Sequence, residues 1–169
     1  MLKKSTAPGW RFLFTHPAHF IACGCGSGLS PWAPGTIGTL FAWASFPLLQ
    51  LLMTGTMLLA FLVLAFIVGV AAAQRTGADL GVVDHGSIVW DEIVPFWAVL
   101  FFCPDGWLWQ TSAFFLFRFF DIVKPQPARY FDEHVKNGFG VMTDDAFAAA
   151  YTVAVLLGAQ ALLSHFALI

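Results

Sequence analysis

The chain has 169 residues, of which 59% are hydrophobic and 11% are charged, whereas about 25% of the residues in a typical soluble domain are charged. This length predicts one domain, residues 1–169. The net charge is −2 and no basic stripe is present, so nothing indicates binding to nucleic acid. Segments 12–74 and 146–169 contain no Asp, Glu, Lys or Arg, which is typical of a surface that contacts lipid.

The apolar runs predict a bundle of α-helices. Segment 10–22 combines aromatic residues with His and Pro, which favours a helix at the membrane interface. Five longer runs follow, at 37–53, 57–73, 87–103, 107–123 and 146–167. At about 1.5 Å per residue each can cross most of the hydrocarbon core. The predicted fold is an all-α integral membrane bundle of about five spans, or four if 87–123 forms partly re-entrant helices.

The positions of Lys and Arg predict the orientation of this bundle. Threading five spans through a bilayer places the N-terminus and segments 23–39, 74–92 and 118–145 on one side. The turns at 54–56 and 104–106 lie on the other side with the C-terminus. All eight Lys and Arg residues fall on or near the first side, which the positive-inside rule assigns to the cytoplasm.

The first polar segment on that side is GCGSGLSPWAPGTIGT, residues 24–39. Its many Gly and Pro residues disfavour regular helix and allow backbone N–H groups to converge on an anion. A helix is predicted to begin near Gly38, with its N-terminus favouring negative charge. The alternative is a tight re-entrant turn, but irregular backbone at membrane depth is tolerated only where it is buried or lines a cavity.

The second polar segment is DHGSIVWDE, residues 84–92. Ser87 is predicted to cap the following helix, placing Asp91 and Glu92 about one turn inside it. An acid in a spanning helix costs about 2.5–3.5 kcal/mol at mid-bilayer, so two adjacent acids need a partner, such as a divalent cation. The alternative is an interfacial pair that reaches water. Asp84 and His85 either join this site or simply start the helix.

The third polar segment is RFFDIVKPQP, residues 118–127. Arg118, Asp121 and Lys124 recur every three residues and are therefore predicted to share one helix face. Arg and Lys suit phosphate oxygens, and Asp can hold a metal or orient Arg. The alternative is an internal salt-bridge ladder, which is compatible with function if the ladder lines a cavity.

The fourth polar segment is NGFGVMTDDAF, residues 137–147. Gly138 and Gly140 predict a turn, which places Asp144 and Asp145 at the start of the last span. The helix dipole favours an acid there by about 0.3–1 kcal/mol. This explains one Asp as a cap and leaves the other as a candidate ligand, without deciding which. Acids beside Arg and Lys on one face indicate a Mg²⁺-assisted phosphate reaction with direct attack by water.

Four motifs resemble those of the phosphatidylglycerophosphatase A family in order and spacing. They are GSGLSPxxPGTxGT, DHGSIVWDE, FRxxDxxKPxP and GxGVMxDD, and the resemblance covers residues 20–150. It implies an all-helical, Mg²⁺-dependent, multi-pass enzyme of the inner membrane with its active site facing the cytoplasm. The implied reaction removes the terminal phosphate of the phospholipid phosphatidylglycerophosphate and gives phosphatidylglycerol.

The resemblance implies roles for the polar residues. The expected Mg²⁺ ligands are Asp91, Glu92, Asp121, Asp144 and Asp145. The expected phosphate-binding residues are Ser27, Ser30, Thr36, Arg118 and Lys124. Asp84 and His85 are expected to act in catalysis with Asp91, Glu92 and Asp121, and either Asp84 or His85 is the proton donor to the leaving alkoxide. The number of metal ions, the general base and the oligomeric state stay open.

Three other functions fit the sequence less well. A transporter predicts internal repeats and a second polar opening on the far side, and the sequence shows neither. Other membrane phosphate enzymes require different Asp, Arg or His motifs. A bundle without chemistry does not account for acidic clusters gathered with Arg and Lys at one interface.

Overall fold

The computed structural model describes residues 8–166, and this part of the chain is helical without a β-strand. Two of the eight Lys and Arg residues used to predict the orientation, Lys3 and Lys4, lie outside the described residues, and so does the last residue of the predicted run 146–167. In chain order the elements are α1 (Trp10–Leu13), α2 (Pro17–Ala22), a 3₁₀ segment (Gly24–Leu29), α3 (Pro34–Leu52), α4 (Gly55–Leu80), α5 (Trp90–Phe102), α6 (Trp107–Val123), α7 (Ala128–His134) and α8 (Gly138–His165).

The all-α prediction is confirmed. The structure supports a membrane bundle, but fewer helices than predicted are long and apolar enough to span the membrane. Among the described residues, three helices are long and apolar enough to cross a membrane, namely α3, α4 and α8. Helix α5 has 13 residues and α6 has 17, which gives lengths of about 20 Å and 26 Å. The prediction of five spans is therefore not confirmed, because α5 is short for a hydrocarbon core of about 30 Å.

The predicted helix starts need three corrections. Segment 10–22 forms two short helices instead of one, and α2 begins at Pro17, with the His16 ring accepting a hydrogen bond from the Ala18 N–H. Helix α3 begins at Pro34 instead of near Gly38, because the fixed φ of Pro suits a first helical position. Ser87 is not a cap, since α5 begins at Trp90 after Val89, which makes no side-chain cap hydrogen bond.

The start of α8 also differs from the prediction. Gly138 and Gly140 lie in its first turn, where the Asn137 side chain accepts a hydrogen bond from the Gly140 N–H at 3.0 Å. A Cβ at Gly138 would lie 2.1 Å from the backbone oxygen of Val70. Glycine at this position therefore allows the beginning of α8 to press against the backbone of α4.

Helix α8 is the centre of the bundle. It packs against α4, α5, α6 and α7, whereas α3 packs mainly against α5. The fully buried side chains include Ile93 and Phe96 of α5 and Phe117 of α6. This packing brings the beginnings of α3, α5 and α8 and the end of α6 to one end of the molecule, which we call the polar end.

Candidate active site

A cavity of about 300 Å³ opens at the polar end of the bundle. The first residues of α3, the loop before α5, and helices α5, α6 and α8 all contribute to its lining. Its acidic lining residues are Asp84, Asp91, Glu92, Asp121, Asp144 and Asp145, and its basic ones are Arg118 and Lys124. Charged residues from three of the predicted polar segments thus converge on one space, and the remaining segment contributes Ala33, Pro34 and Gly35.

Arg118 connects the acidic residues of α5 and α6. Its Nη1 atom lies 2.8 Å from Asp121 Oδ2, one turn away on α6, and 3.3 Å from Glu92 Oε1 on α5. The same Nη1 atom is 3.4 Å from the hydroxyl oxygen of Thr39 on α3. One guanidinium therefore contacts three helices, while its Nε atom is buried without a hydrogen-bond partner among the described residues.

Gly35 lets the start of α3 approach this ion pair. A Cβ at this position would lie 1.8 Å from Glu92 Oε1 and 3.2 Å from Arg118 Nη1. The first N–H groups of a helix have no partner within the helix and favour anions. The α3 N-terminus and the Arg118 guanidinium therefore lie beside the same cavity.

Lys124 pairs with acids outside α6. It is the C-terminal cap of α6, with a left-handed φ of 46°, and it lines the same cavity as Arg118 and Asp121. Its Nζ atom donates to Asp132 Oδ1 at 2.9 Å and makes a short contact with Asp144 Oδ2. Burial by itself would lower the pKa of Lys124, but the pairs with Asp144 and Asp132 outweigh it and raise this pKa.

Asp144 and Asp145 lie in the second turn of α8, six and seven residues after Gly138. The prediction that one of them caps the helix is therefore wrong, because Asn137 fills that role. Asp144 binds Lys124, and its Oδ1 accepts a hydrogen bond from the Asp145 N–H at 3.0 Å. The adjacent Asp145 Oδ1 is buried without a hydrogen-bond partner in the described part of the chain.

Three buried carboxylate oxygens in this region lack hydrogen-bond partners among residues 8–166: Asp91 Oδ1, Glu92 Oε2 and Asp145 Oδ1. Leaving a buried polar atom unsatisfied costs about 1–3 kcal/mol, and more when the group is charged. Hard oxygen atoms of this kind are the ligands of Mg²⁺. The donor set therefore fits a divalent cation.

This donor set is incomplete without other ligands. Among the described residues, no three His, Cys, Asp or Glu side chains are grouped closely enough to hold a metal ion by themselves. Mg²⁺ typically uses one or two carboxylates together with water and substrate phosphate oxygens. The carboxylates here therefore match a shared site more closely than a cage made of protein atoms alone.

The remaining predicted site residues lie outside the cavity lining. Ser27 donates to the Gly24 carbonyl and Ser30 to the Trp32 carbonyl, both at 2.8 Å, and Thr36 is half-buried on α3. His85 is buried, and its Nδ1 atom accepts a hydrogen bond from the Ser87 N–H at 3.1 Å. Burial lowers the pKa of His85, which favours the neutral ring. The roles of these four residues stay predictions.

Two residues with contacts to the site were not predicted. Thr39 lies within the first motif, but nothing in the sequence around it indicated that its hydroxyl would contact Arg118. Asp132 lies on α7 between the third and fourth motifs, and nothing in its local sequence indicated that it would pair with Lys124. Both become recognisable only when the helices are packed together.

The family model for phosphatidylglycerophosphatase A matches residues 20–160. The chain belongs to the phosphatidylglycerophosphatase A family. It is 49% identical to the phosphatidylglycerophosphatase A of Haemophilus influenzae, over 86% of this chain and 90% of that protein. It is 40% identical to the phosphatidylglycerophosphatase A of Escherichia coli, over 86% and 85% of the two chains. These matches confirm the predicted family and the assignment to a class of phosphatases.

A further relative has a different name. A protein of Bacteroides thetaiotaomicron named "Putative phosphatidylinositol-3-phosphatase" is 41% identical, over 83% of this chain and 91% of its own. No solved structure matches the chain. The relatives' names share a phosphate monoester on a phospholipid and differ in the headgroup that carries it.

Proposed function

We propose that this protein hydrolyses the terminal phosphate monoester of phosphatidylglycerophosphate to phosphatidylglycerol and inorganic phosphate, with Mg²⁺, at the cytoplasmic face of the inner membrane. The observation that carries the proposal is the cavity at the polar end, where six acids and two cations meet at the end of an apolar bundle. A phospholipid can present its phosphate there while its acyl chains stay in the bilayer.

Arg118 and Lys124 are the proposed phosphate-binding side chains. Arg118 has a buried Nε–H without a partner in the described residues, so it can donate to a phosphate oxygen while Asp121 holds its Nη1 atom. Arg presents a planar fork that matches phosphate oxygens, and Lys acts as a compact point charge. Asp121 and Asp144 fix the positions of these two cations and thereby help to place the phosphate.

The proposed Mg²⁺ ligands come from Asp91, Glu92 and Asp145, which have unpaired oxygens, with Asp121 and Asp144 as further candidates. One or two of these carboxylates would bind the ion together with water and phosphate oxygens. When bound, Mg²⁺ stabilises charge on the phosphate and makes a bound water more acidic. A hydrolysis that needs no protein nucleophile is consistent with a cavity lined by acids and cations. The water oxygen becomes the fourth oxygen of the released phosphate, and the bond from phosphorus to the glycerol oxygen breaks.

The leaving glycerol oxygen needs a proton. Asp84 lies at the cavity, where burial raises the pKa of its carboxyl group and the positive charge of Lys124 partly offsets this rise. A higher pKa makes a carboxyl group a better proton donor near neutral pH. His85 is the alternative, but its ring is buried away from the cavity lining. We therefore propose Asp84 as the donor.

The charge distribution supports the proposed orientation. Of the six Lys and Arg residues that the structure describes, Arg11 lies on α1. The other five lie at the ends of α4 and α6 or between α6 and α8, and these places belong to the polar end: Arg75, Arg118, Lys124, Arg129 and Lys136. The positive-inside rule then favours a cytoplasmic location for the cavity.

A comparison of substrates tests this function. The detergent-purified protein is given phosphatidylglycerophosphate, phosphatidylinositol 3-phosphate or glycerol 3-phosphate in Mg²⁺ buffer, and phosphate release is measured, with Asp91→Asn as the inactive control. We expect kcat/KM for phosphatidylglycerophosphate to exceed the others by about tenfold or more, a difference of about 1.4 kcal/mol. Faster phosphate release from phosphatidylinositol 3-phosphate would contradict the proposed substrate but would still agree with a phosphatase reaction.

A further inference from the structure

Helix α6 presents two neighbouring faces at the cavity. Arg118 and Asp121 line the cavity. Phe115, Phe119 and Ile122 are 66%, 55% and 72% exposed, and their spacing of four and three residues places them along one side of the helix. Each of Phe119 and Ile122 directly follows a cavity residue, so an apolar face lies beside the charged one.

A further exposed aromatic residue directly precedes the part of α3 that lines the cavity. Trp32 is 81% exposed and directly precedes Ala33 and Pro34, which line the cavity. Ser30 fixes the backbone of Trp32, because its hydroxyl donates to the Trp32 carbonyl at 2.8 Å and accepts from the Trp32 N–H at 3.3 Å. A Trp held at the end of a spanning helix is typical of the membrane–water interface.

Helices α3 and α6 border the cavity from these two sides. Trp43 of α3 donates to Gln110 Oε1 of α6 at 2.8 Å and stacks on Phe114. Nearer the cavity the two helices approach each other through Arg118 and Thr39. The exposed residues Trp32 and Ile122 thus stand at the cavity ends of two helices that face each other.

We propose that Trp32 and the face formed by Phe115, Phe119 and Ile122 bind the acyl chains of the substrate phospholipid. This inference rests on the proposed function and adds a binding surface for the apolar part of the substrate. An amphipathic occupant fits this arrangement, because the cavity residues Arg118 and Asp121 are each followed directly by an exposed apolar residue of α6. A phospholipid with a terminal phosphate has both parts in one molecule.

Kinetics with two chain lengths test this surface. Trp32→Ala and Phe119→Ala are assayed on long-chain phosphatidylglycerophosphate in mixed micelles and on a short-chain, water-soluble form. Phe102→Ala is the matched control, since Phe102 is 47% exposed and lies on α5 about 15 Å along the helix from Glu92. We expect KM for the long-chain lipid to rise about fivefold or more in the two test variants, because each loses an apolar contact with the chains. We expect kcat and the short-chain kinetics to stay within about twofold, and the control to be unaffected.

Two kinetic outcomes would overturn the proposal. Equal losses on both substrates would mean that these residues shape the phosphate site, and unchanged long-chain KM values would mean that the acyl chains lie elsewhere. A Trp32→Phe variant that recovers the long-chain KM would support an apolar contact over a folding defect.

Photolabelling tests the same surface without requiring turnover. A photoreactive benzoylphenylalanine replaces Phe119 or, as the control, Phe102, and the protein is placed in vesicles that contain a small fraction of phosphatidylglycerophosphate. We expect the probe at position 119 to label this lipid above its mole fraction and the probe at 102 to label it at its mole fraction. If both probes label this lipid only at its mole fraction, the proposed binding surface is contradicted. If the probe at position 119 labels it above its mole fraction but the protein releases no phosphate, only the proposed function is contradicted.

Discussion

The Arg118 guanidinium and the Glu92 carboxylate meet at 3.3 Å across the space between α6 and α5, where both side chains are largely buried. Removing one partner of a buried ion pair costs about 3–5 kcal/mol. The contact joins the second and third sequence motifs at the cavity. It also keeps the guanidinium positioned, with an unpaired Nε–H available for a substrate oxygen.

Replacement of Arg118 by Lys keeps the charge and removes the planar fork. We expect Arg118→Lys to lower kcat/KM for phosphate release by about 10²-fold, because Lys cannot contact Glu92, Asp121 and phosphate in the same way. The matched control is Arg129→Lys, which changes an exposed pair with Glu133 and should alter activity by less than about twofold. Equal activity of the two variants would contradict the role of Arg118.

Gly35 and Gly55 form a second matched pair. Both lie near the start of a helix, but a Cβ at Gly35 would clash with Glu92 Oε1, whereas one at Gly55 would meet nothing within 4 Å. We expect Gly35→Ala to displace Glu92 and to lower activity about tenfold or more, and Gly55→Ala to leave activity unchanged and to raise Tm slightly. Phosphate release and Tm of the detergent-solubilised variants measure both effects. Normal turnover by Gly35→Ala would show that this close approach has no role in the site.

Asp91 and Asp145 allow function and stability to be separated. Each carries a buried oxygen without a partner in the described residues, so an amide in place of the carboxylate removes an unpaired charge. We expect Asp91→Asn and Asp145→Asn to keep or raise Tm without metal while lowering activity about 10²-fold or more. Asp105→Asn, at an exposed turn at the other end of the bundle, is the control. A loss of folding together with activity would indicate a structural role instead.

Mg²⁺ should stabilise the wild type if these carboxylates bind it. A ligand that binds only the folded state at about 100 times its Kd adds about 2.7 kcal/mol. We expect Mg²⁺ to raise the wild-type Tm and to have a much smaller effect on Asp91→Asn, as measured by thermal unfolding in detergent. Identical shifts in both proteins would place the cation outside this cavity.

Lys124 and Lys136 test the link between α6 and α8. Lys124 contacts Asp144 and Asp132, whereas Lys136 lies at the surface and donates to a backbone carbonyl. We expect Lys124→Met to leave Asp144 unpaired and to lower both Tm and kcat/KM, and Lys136→Met to change neither appreciably. A double variant, Lys124→Met with Asp144→Asn, should recover much of the Tm without recovering activity. Full recovery of activity would contradict a phosphate-binding role for Lys124.

Local sequence predicted much of the site because charged side chains in an apolar bundle are stable at only a few positions. Asp91, Glu92 and Arg118 could be placed together since burying each alone is costly. The partners of Lys124 could not be predicted, because Asp132 and Asp144 lie on α7 and α8 and meet Lys124 only when these helices pack against the end of α6. Likewise, the role of Asn137 as the cap of α8 depends on where the helix meets α4, which periodicity does not specify.

The span count shows a limit of hydropathy. Residues 87–103 are apolar enough to be read as a span, but the structure begins α5 at Trp90 and buries much of it against α3 and α8. An apolar run inside a protein core and one inside a bilayer have similar composition. Length and packing, not hydropathy, distinguish them.

The most direct test of the central claim is phosphate release from phosphatidylglycerophosphate by the detergent-purified protein, first with Mg²⁺ and then with EDTA. The account predicts turnover with Mg²⁺, loss of turnover with EDTA and recovery when Mg²⁺ is restored. Absence of release from folded protein with Mg²⁺ present, or release that EDTA does not affect, would contradict a Mg²⁺-dependent phosphatase site in this cavity.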